Sequence, residues 1–163
     1  MQTLDHQEGI RVSDRMLELT TLPAPDVPAT VRAMLDQRLH LWGLAALRHG
    51  DLAHDLRLCA DELTANAMEA APREMITFRA SYAPNHRMIT LSTWDASNDQ
   101  PTVKQIVELE PEDIIPDAHA LDPGRNNHQI GGWGLPLVVA LSSAQGVEHT
   151  PPRGKWVWAS FQL

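Results

Sequence analysis

From Asp51 to Ala70 the chain repeats its apolar side chains at helical spacing, and Pro72 stops the pattern. Leu52, Leu56, Cys59, Ala60, Leu63, Ala67 and Ala70 fall on one stripe. Two alternating stretches follow at once. In EMITFRASY the residues Ile76, Phe78, Ala80 and Tyr82 share a face. In RMITLSTWD the shared face is Ile89, Leu91 and Thr93, and the series runs on to Asp95. A helix with one apolar stripe and a hairpin with one apolar face bury both by stacking helix on sheet. The turn between the strands, APNH, has suitable hairpin chemistry.

The rest of the chain extends that arrangement. Arg15–Thr21 alternates as a short strand with Leu17 and Leu19 on one side. Asp26 can cap a helix that Pro28 opens, since a first-turn proline gives up no needed N–H. Val31, Met34, Leu35, Leu39 and Trp42 then recur at helical spacing until Gly43 ends or bends the run. Residues 96–130 show no period and contain Pro101, Pro111, Pro116 and Pro123, the pattern of a long functional or disordered loop. After GGWG a short helix runs through Leu137, Val138 and Leu141, with Pro136 tolerated in its first turn. GKWVWASFQL closes the chain as a strand. The expected fold is an α+β two-layer sandwich. It has a mixed, mostly antiparallel sheet, about three helices on one face and a lid over 96–130. One domain is expected over residues 15–163, preceded by a flexible segment over 1–14.

Composition removes several function classes. A chain of 163 residues can bury a core without staples. Its formal net charge of -8 opposes binding to a phosphate backbone or an anionic membrane. Cys59 is the only cysteine, which rules out an internal disulfide and a thiolate metal cluster and reads as a packed thiol. The histidines have no metal-ligand spacing, and no glycine-flanked elbow surrounds Ser142 or Ser143. Trp42, Trp94, Trp156 and Trp158 fall on regular elements and read first as packing residues. Without a long apolar run or a leader-like pattern in Met1–Asp14, a cytoplasmic location is expected.

Three polar features resist a purely structural reading. In DELTANAMEA, Glu62 and Asn66 are four residues apart and project from one side of the helix. Asp95 ends a strand whose apolar face points inward. Gly131, Gly132 and Gly134 precede a helix, where backbone N–H groups and the helix dipole favour an anion. An amide oxygen suits magnesium, which takes few protein ligands and leans on substrate phosphates. A carboxylate one turn away can orient or deprotonate a hydroxyl. Each signal has a bland alternative: a solvated helix face, a turn-forming aspartate, a glycine loop. No P-loop lysine–serine pair accompanies the glycines.

Together the motifs resemble one family. ELTANA is similar to the N box of the Bergerat-fold ATPases, which include gyrase, histidine kinases and the MutL proteins. WDASNDQP lies where their adenine-binding aspartate motif lies, and GGWGLPLVVALSSAQG with GKWVWASFQL resembles their last glycine boxes. The glycine helix start followed by a GKxVW strand looks like the small anti-sigma factor branch, which includes serine/threonine kinases. The resemblance implies that Glu62 is the general base and Asn66 the magnesium ligand. It implies that Asp95 binds the adenine amino group and that Gly132, Gly134 and Leu135 present backbone to the phosphates. Arg125 is the candidate lid cation.

ATP and Mg2+ are thus the implied cofactors. A sigma factor or an anti-sigma antagonist is the implied protein partner, and a homodimer the implied assembly. The expected function is an ATP-binding anti-sigma-like regulator that phosphorylates an antagonist. Departures from the family pattern define an alternative, a degenerate-site module that sequesters its partner without nucleotide. Ala70 replaces the usual N-box histidine, Ser97 a frequent glycine and Trp133 a frequent arginine. The lid carries Glu108, Glu110, Glu112, Asp113, Asp117 and Asp122 against only Lys104 and Arg125, a poor cover for a triphosphate. Trp156 stands where a threonine is common, and an inward indole there would fill the adenine's place. A detached histidine-kinase catalytic domain fits less well, because no helical segment with a phospho-accepting histidine precedes the motifs.

Overall fold

The computed structural model of the chain describes residues 8–44, 50–101 and 134–163. Its elements run β1 (Gly9–Ser13), β2 (Met16–Thr21), α1 (Val27–Leu41), α2 (Gly50–Ala70), β3 (Ile76–Ala83), β4 (Met88–Asp95), α3 (Gly134–Leu141), β5 (Ala144–His149) and β6 (Lys155–Gln162). The strands form one sheet in the order β1-β2-β3-β4-β6-β5. Every neighbouring pair is antiparallel, so the parallel component expected of a mixed sheet does not occur among these strands.

One face of each of the four inner strands, β2, β3, β4 and β6, is apolar and covered by helices. Leu17 and Leu19 of β2, Ile76, Phe78 and Ala80 of β3, and Ile89 and Leu91 of β4 are buried there. Val157, Ala159 and Phe161 of β6 join them. Against this face lie Val31, Leu35 and Leu39 of α1 and Leu56, Cys59, Leu63 and Ala67 of α2. The period-2 and period-3.6 patterns therefore meet in one core, the two-layer α+β sandwich read from sequence. Ala70 is the exception in its stripe. It is exposed, and Ala71 takes the buried place at the helix end.

Local signals acted mostly as expected. Pro28 sits in the first turn of α1, but Asp26 makes no side-chain cap; its carbonyl accepts from Thr30 N at 3.0 Å and from Thr30 Oγ1 at 3.1 Å. Gly43 ends α1 with a φ of 72°, and Leu44 N donates back to Leu39 O at 2.8 Å. Residues 9–13 depart from the expected flexible segment. They pair with β2 as an edge strand, and Ile10 and Val12 stay 60% and 56% exposed. The backbone ladder holds this strand and not apolar burial, so hydropathy gave no signal for it.

Two ion pairs cross from α1 to α2, Arg32 with both Asp61 oxygens and Arg57 with Asp36. Both are partly exposed, so each contributes at most about 1 kcal/mol. They set how the helices lie against each other more than they stabilise them. No helix among the described residues is long and apolar enough to cross a membrane.

Candidate functional site

β4 carries the aspartate and α2 carries the amide, and one hydrogen bond fixes their relation. Thr93 faces the helices, two residues before Asp95, and its Oγ1 donates to Leu63 O at 3.2 Å. Leu63 is three residues before Asn66, so Asp95 and the last turns of α2 are held to the same end of the sandwich. A pocket of about 270 Å³ opens there. Its walls are Asn66, Glu69 and Ala70 from α2, Ser97, Asp99, Gln100 and Pro101 beyond β4, and Lys155 from β6. Ala70 contributes only a methyl group to the helix wall.

Asp95 is fully buried. Its Oδ1 accepts from Ser97 N at 2.9 Å and from Lys155 Nζ at 2.7 Å. Its Oδ2 has no hydrogen-bond partner among the described residues, and neither has the equally buried Nδ2 of Asn66. Buried polar atoms are normally satisfied, and Arg38 Nε and Thr64 Oγ1 share this state among the described residues; of the four, Asn66 Nδ2 belongs to a residue of the pocket wall. An asparagine amide can turn end for end, which brings its oxygen to the same spot. Among the described residues no group of three or more His, Cys, Asp or Glu could hold a metal ion. Asn66 is the pocket residue whose amide oxygen could hold a divalent cation together with the phosphates of a nucleotide, the usual manner for magnesium.

The turn after Asp95 needs no glycine. Arg87 is the only non-glycine with positive φ among the described residues, so Ser97 occupies its place without strain. Asp99 N donates to Ser97 Oγ at 3.1 Å, and Gly154 N donates to Asn98 Oδ1 at 2.9 Å. The segment leaving the pocket is thereby tied to the start of β6.

Trp156 is not in the pocket. Asp95 pairs in register with Lys155, and Trp94 pairs with Trp156. Cross-strand partners share a face, so Lys155 points inward and Trp156 points to the opposite side of the sheet. There the Trp156 ring lies under the Arg79 guanidinium at 4.2 Å, and Arg79 pairs with Glu18 at 2.7 Å. The expected obstruction of the adenine by an inward indole is corrected by this geometry. Lys155 holds the inward place instead. Alternation from Val157, Ala159 and Phe161 back along β6 lands on Lys155, and that was the available signal for it.

Glu62 lies one turn before Asn66 and does not line the pocket. Burial raises its carboxyl above the ordinary 4.5, and the neighbouring Asp61 carboxylate adds to the effect. A glutamate raised toward neutrality is a stronger base than a free one. The sign for stability follows from the direction. The folded chain holds this proton more tightly than the unfolded chain, so Glu62 favours folding at pH below about 4.5 and loses that contribution as pH rises through its folded value. Glu62→Gln is expected to raise Tm at pH 7 and to leave it nearly unchanged at pH 4. Thermal unfolding of both proteins at the two pH values tests this, and an equal shift at both would remove the role of the charge.

Cys59 is fully buried, and burial followed by Asp55 and Glu62 pushes its thiol up to about 12. It is an inert packing residue. Gly134 and Leu135 begin α3, which packs against α2, and Leu135 rests on the core. Arg125, Gly132 and the lid acids lie outside the described residues. The residues that sequence reasoning missed are Lys155 and the pocket walls Glu69, Asp99, Gln100 and Pro101.

Comparison with known proteins agrees with the fold. The family described as histidine kinase-like ATPase domain matches residues 24–161. The crystal structure of the RsbU and RsbW domains of Rv1364c from Mycobacterium tuberculosis is similar, with a TM-score of 0.57 and 18% sequence identity. The match covers 91% of this chain and 32% of that one, so this chain spans about a third of that structure's length. No curated protein gives a significant match. With the family match extending from α1 through β6 over most of its length, the chain belongs to the histidine kinase-like ATPase domain family.

Proposed function

We propose that this chain is an adenine-nucleotide-binding regulatory protein of the anti-sigma kind, acting on a protein partner through Mg-ATP. The observation that carries the reading is a pair of buried atoms without a partner among the described residues, Asn66 Nδ2 in the pocket wall and Asp95 Oδ2 behind the wall residue Lys155. Asp95 would accept from the adenine amino group. Asn66 would orient the magnesium ion, which neutralises charge on the transferring phosphate. The N-terminus of α3 at Gly134 would turn its helix-start N–H groups toward the phosphates.

In the kinase form, Glu62 takes the proton from a serine or threonine hydroxyl of the antagonist. That oxygen bonds to the γ-phosphorus as the bond to ADP breaks. Raised basicity at Glu62 suits this step. A second reading, partner capture without nucleotide, is favoured by one observation: Lys155 already occupies one oxygen of Asp95.

Saturation-transfer NMR at millimolar ATP with magnesium, which reads weak binding, tests the first reading. Transfer to the adenine protons is expected, and it should fall about tenfold in Asp95→Asn, the loss of one hydrogen bond to a charged group. Glu62→Ala should keep binding and lose phosphoryl transfer to the antagonist. No transfer from ATP at all would leave partner capture as the function.

A further inference from the structure

We infer that Lys155 sets the nucleotide affinity of this pocket by covering the aspartate that reads the base. This rests on the nucleotide reading above and adds what controls the site. Lys155 is 1% exposed and Asp95 is 0% exposed, and their 2.7 Å contact is an ion pair wholly inside the protein. Lysine is almost never buried this completely without a partner. Its Nζ reaches Ser97 O as well, at 3.4 Å, so the ammonium bridges the carboxylate and the turn that follows it.

The order of the layers matters. Lys155 lines the pocket, whereas Asp95 is not among the described residues that form its walls. A base entering from the pocket therefore meets the lysine stem and ammonium before it meets the carboxylate. Asp95 Oδ2 has no partner among the described residues, yet it is sealed from solvent. For an adenine amino group to donate to it, Lys155 must swing out of its place on β6. The swing separates a buried ion pair, and removing a charged partner from such a pair is strongly unfavourable. Nucleotide binding bears that cost in full. A neutral side chain at the same place would leave the carboxylate waiting for a donor, and the cost would be absent.

The consequence is an affinity- and base-determining lysine. Lys155→Thr should tighten ATP binding on the order of a hundredfold relative to the unaltered chain, by isothermal titration with magnesium present. The gain should be confined to a base that offers an amino group. Inosine triphosphate presents a carbonyl to the carboxylate and should gain less than threefold, roughly the spread of such measurements. Lys155→Gln keeps a donor for Asp95 without the charge, and about a tenfold gain is expected. It carries the test if the threonine variant fails to fold by circular dichroism.

Four results are distinguishable. A large gain for ATP alone supports the inference. Equal affinities for the unaltered chain and both variants overturn it while the nucleotide reading stands. Weaker binding in the variants overturns it too, and makes Lys155 a direct contact to the nucleotide. Absence of binding in all three proteins overturns the inference together with the nucleotide reading itself.

Discussion

Asp95→Ala is expected to destabilise the folded chain by about 3–5 kcal/mol, the loss seen when one member of a buried ion pair is removed. Lys155 would keep its ammonium in a place that is 1% exposed, with only the long contact to Ser97 O remaining among the described residues. Ser97 N would lose its acceptor as well. Lys155→Ala should cost a similar amount, because it strands the carboxylate. The double replacement Asp95→Ala with Lys155→Ala should cost clearly less than the two single losses added together, since it leaves neither charge stranded in the interior. Urea unfolding of the four proteins measures the coupling. Strictly additive losses would show that the pair does not act as a unit, and the closure of the base pocket by Lys155 would lose its physical basis. ATP should restore more stability to Lys155→Thr than to the unaltered chain, because only the bound state offers Asp95 a new donor.

Gly154→Ala is the second large effect, expected at about 3 kcal/mol or more from backbone strain and steric conflict together. Gly154 has a φ of 90°, which a side chain rarely adopts. An added Cβ would lie 2.5 Å from Trp94 Cζ2 and 2.7 Å from the Asp95 carbonyl oxygen. The ring cannot give way easily, since its Nε1 donates to Thr150 Oγ1 at 2.8 Å. Gly43→Ala separates the two causes. Gly43 also has positive φ, at 72°, but an added Cβ there meets nothing within 4 Å. Its loss should be limited to about 1–2 kcal/mol of backbone cost. Equal unfolding free energies for the two variants would mean that the close packing of Gly154 against Trp94 and the Asp95 carbonyl contributes nothing. A larger loss at Gly154 should also come with altered nucleotide affinity, because the shifted carbonyl belongs to Asp95.

The regular elements were legible because each carries its own period. The stripe on α2 and the alternation in β3, β4 and β6 state which side of each element is apolar, and packing follows from that. β1 was not legible, because its two apolar side chains stay exposed and it is held by backbone pairing with β2 and an Arg11–Glu18 ion pair at 3.9 Å. The capping role expected of Asp26 failed for a local reason. Its carbonyl, not its carboxylate, takes the first helical donors.

The candidate site divides along the same line. Glu62 and Asn66 stand on one helix, so their spacing alone puts them on one side of it. Asp95 could be assigned to the inner face because it continues the alternation of Ile89, Leu91 and Thr93. What stands beside Asp95 is a different kind of fact. Lys155 is 60 positions away, and its contact depends on the register in which β6 meets β4. A shift of one residue would exchange Lys155 for Trp156 and turn an ion pair into an indole wall. The sequence determined the helices and the inner strands, their apolar faces and the placing of Glu62 and Asn66 on one side of α2. Tertiary structure alone decided that a lysine covers the aspartate, because register is set by the closing of the whole core and not by any local stretch of chain.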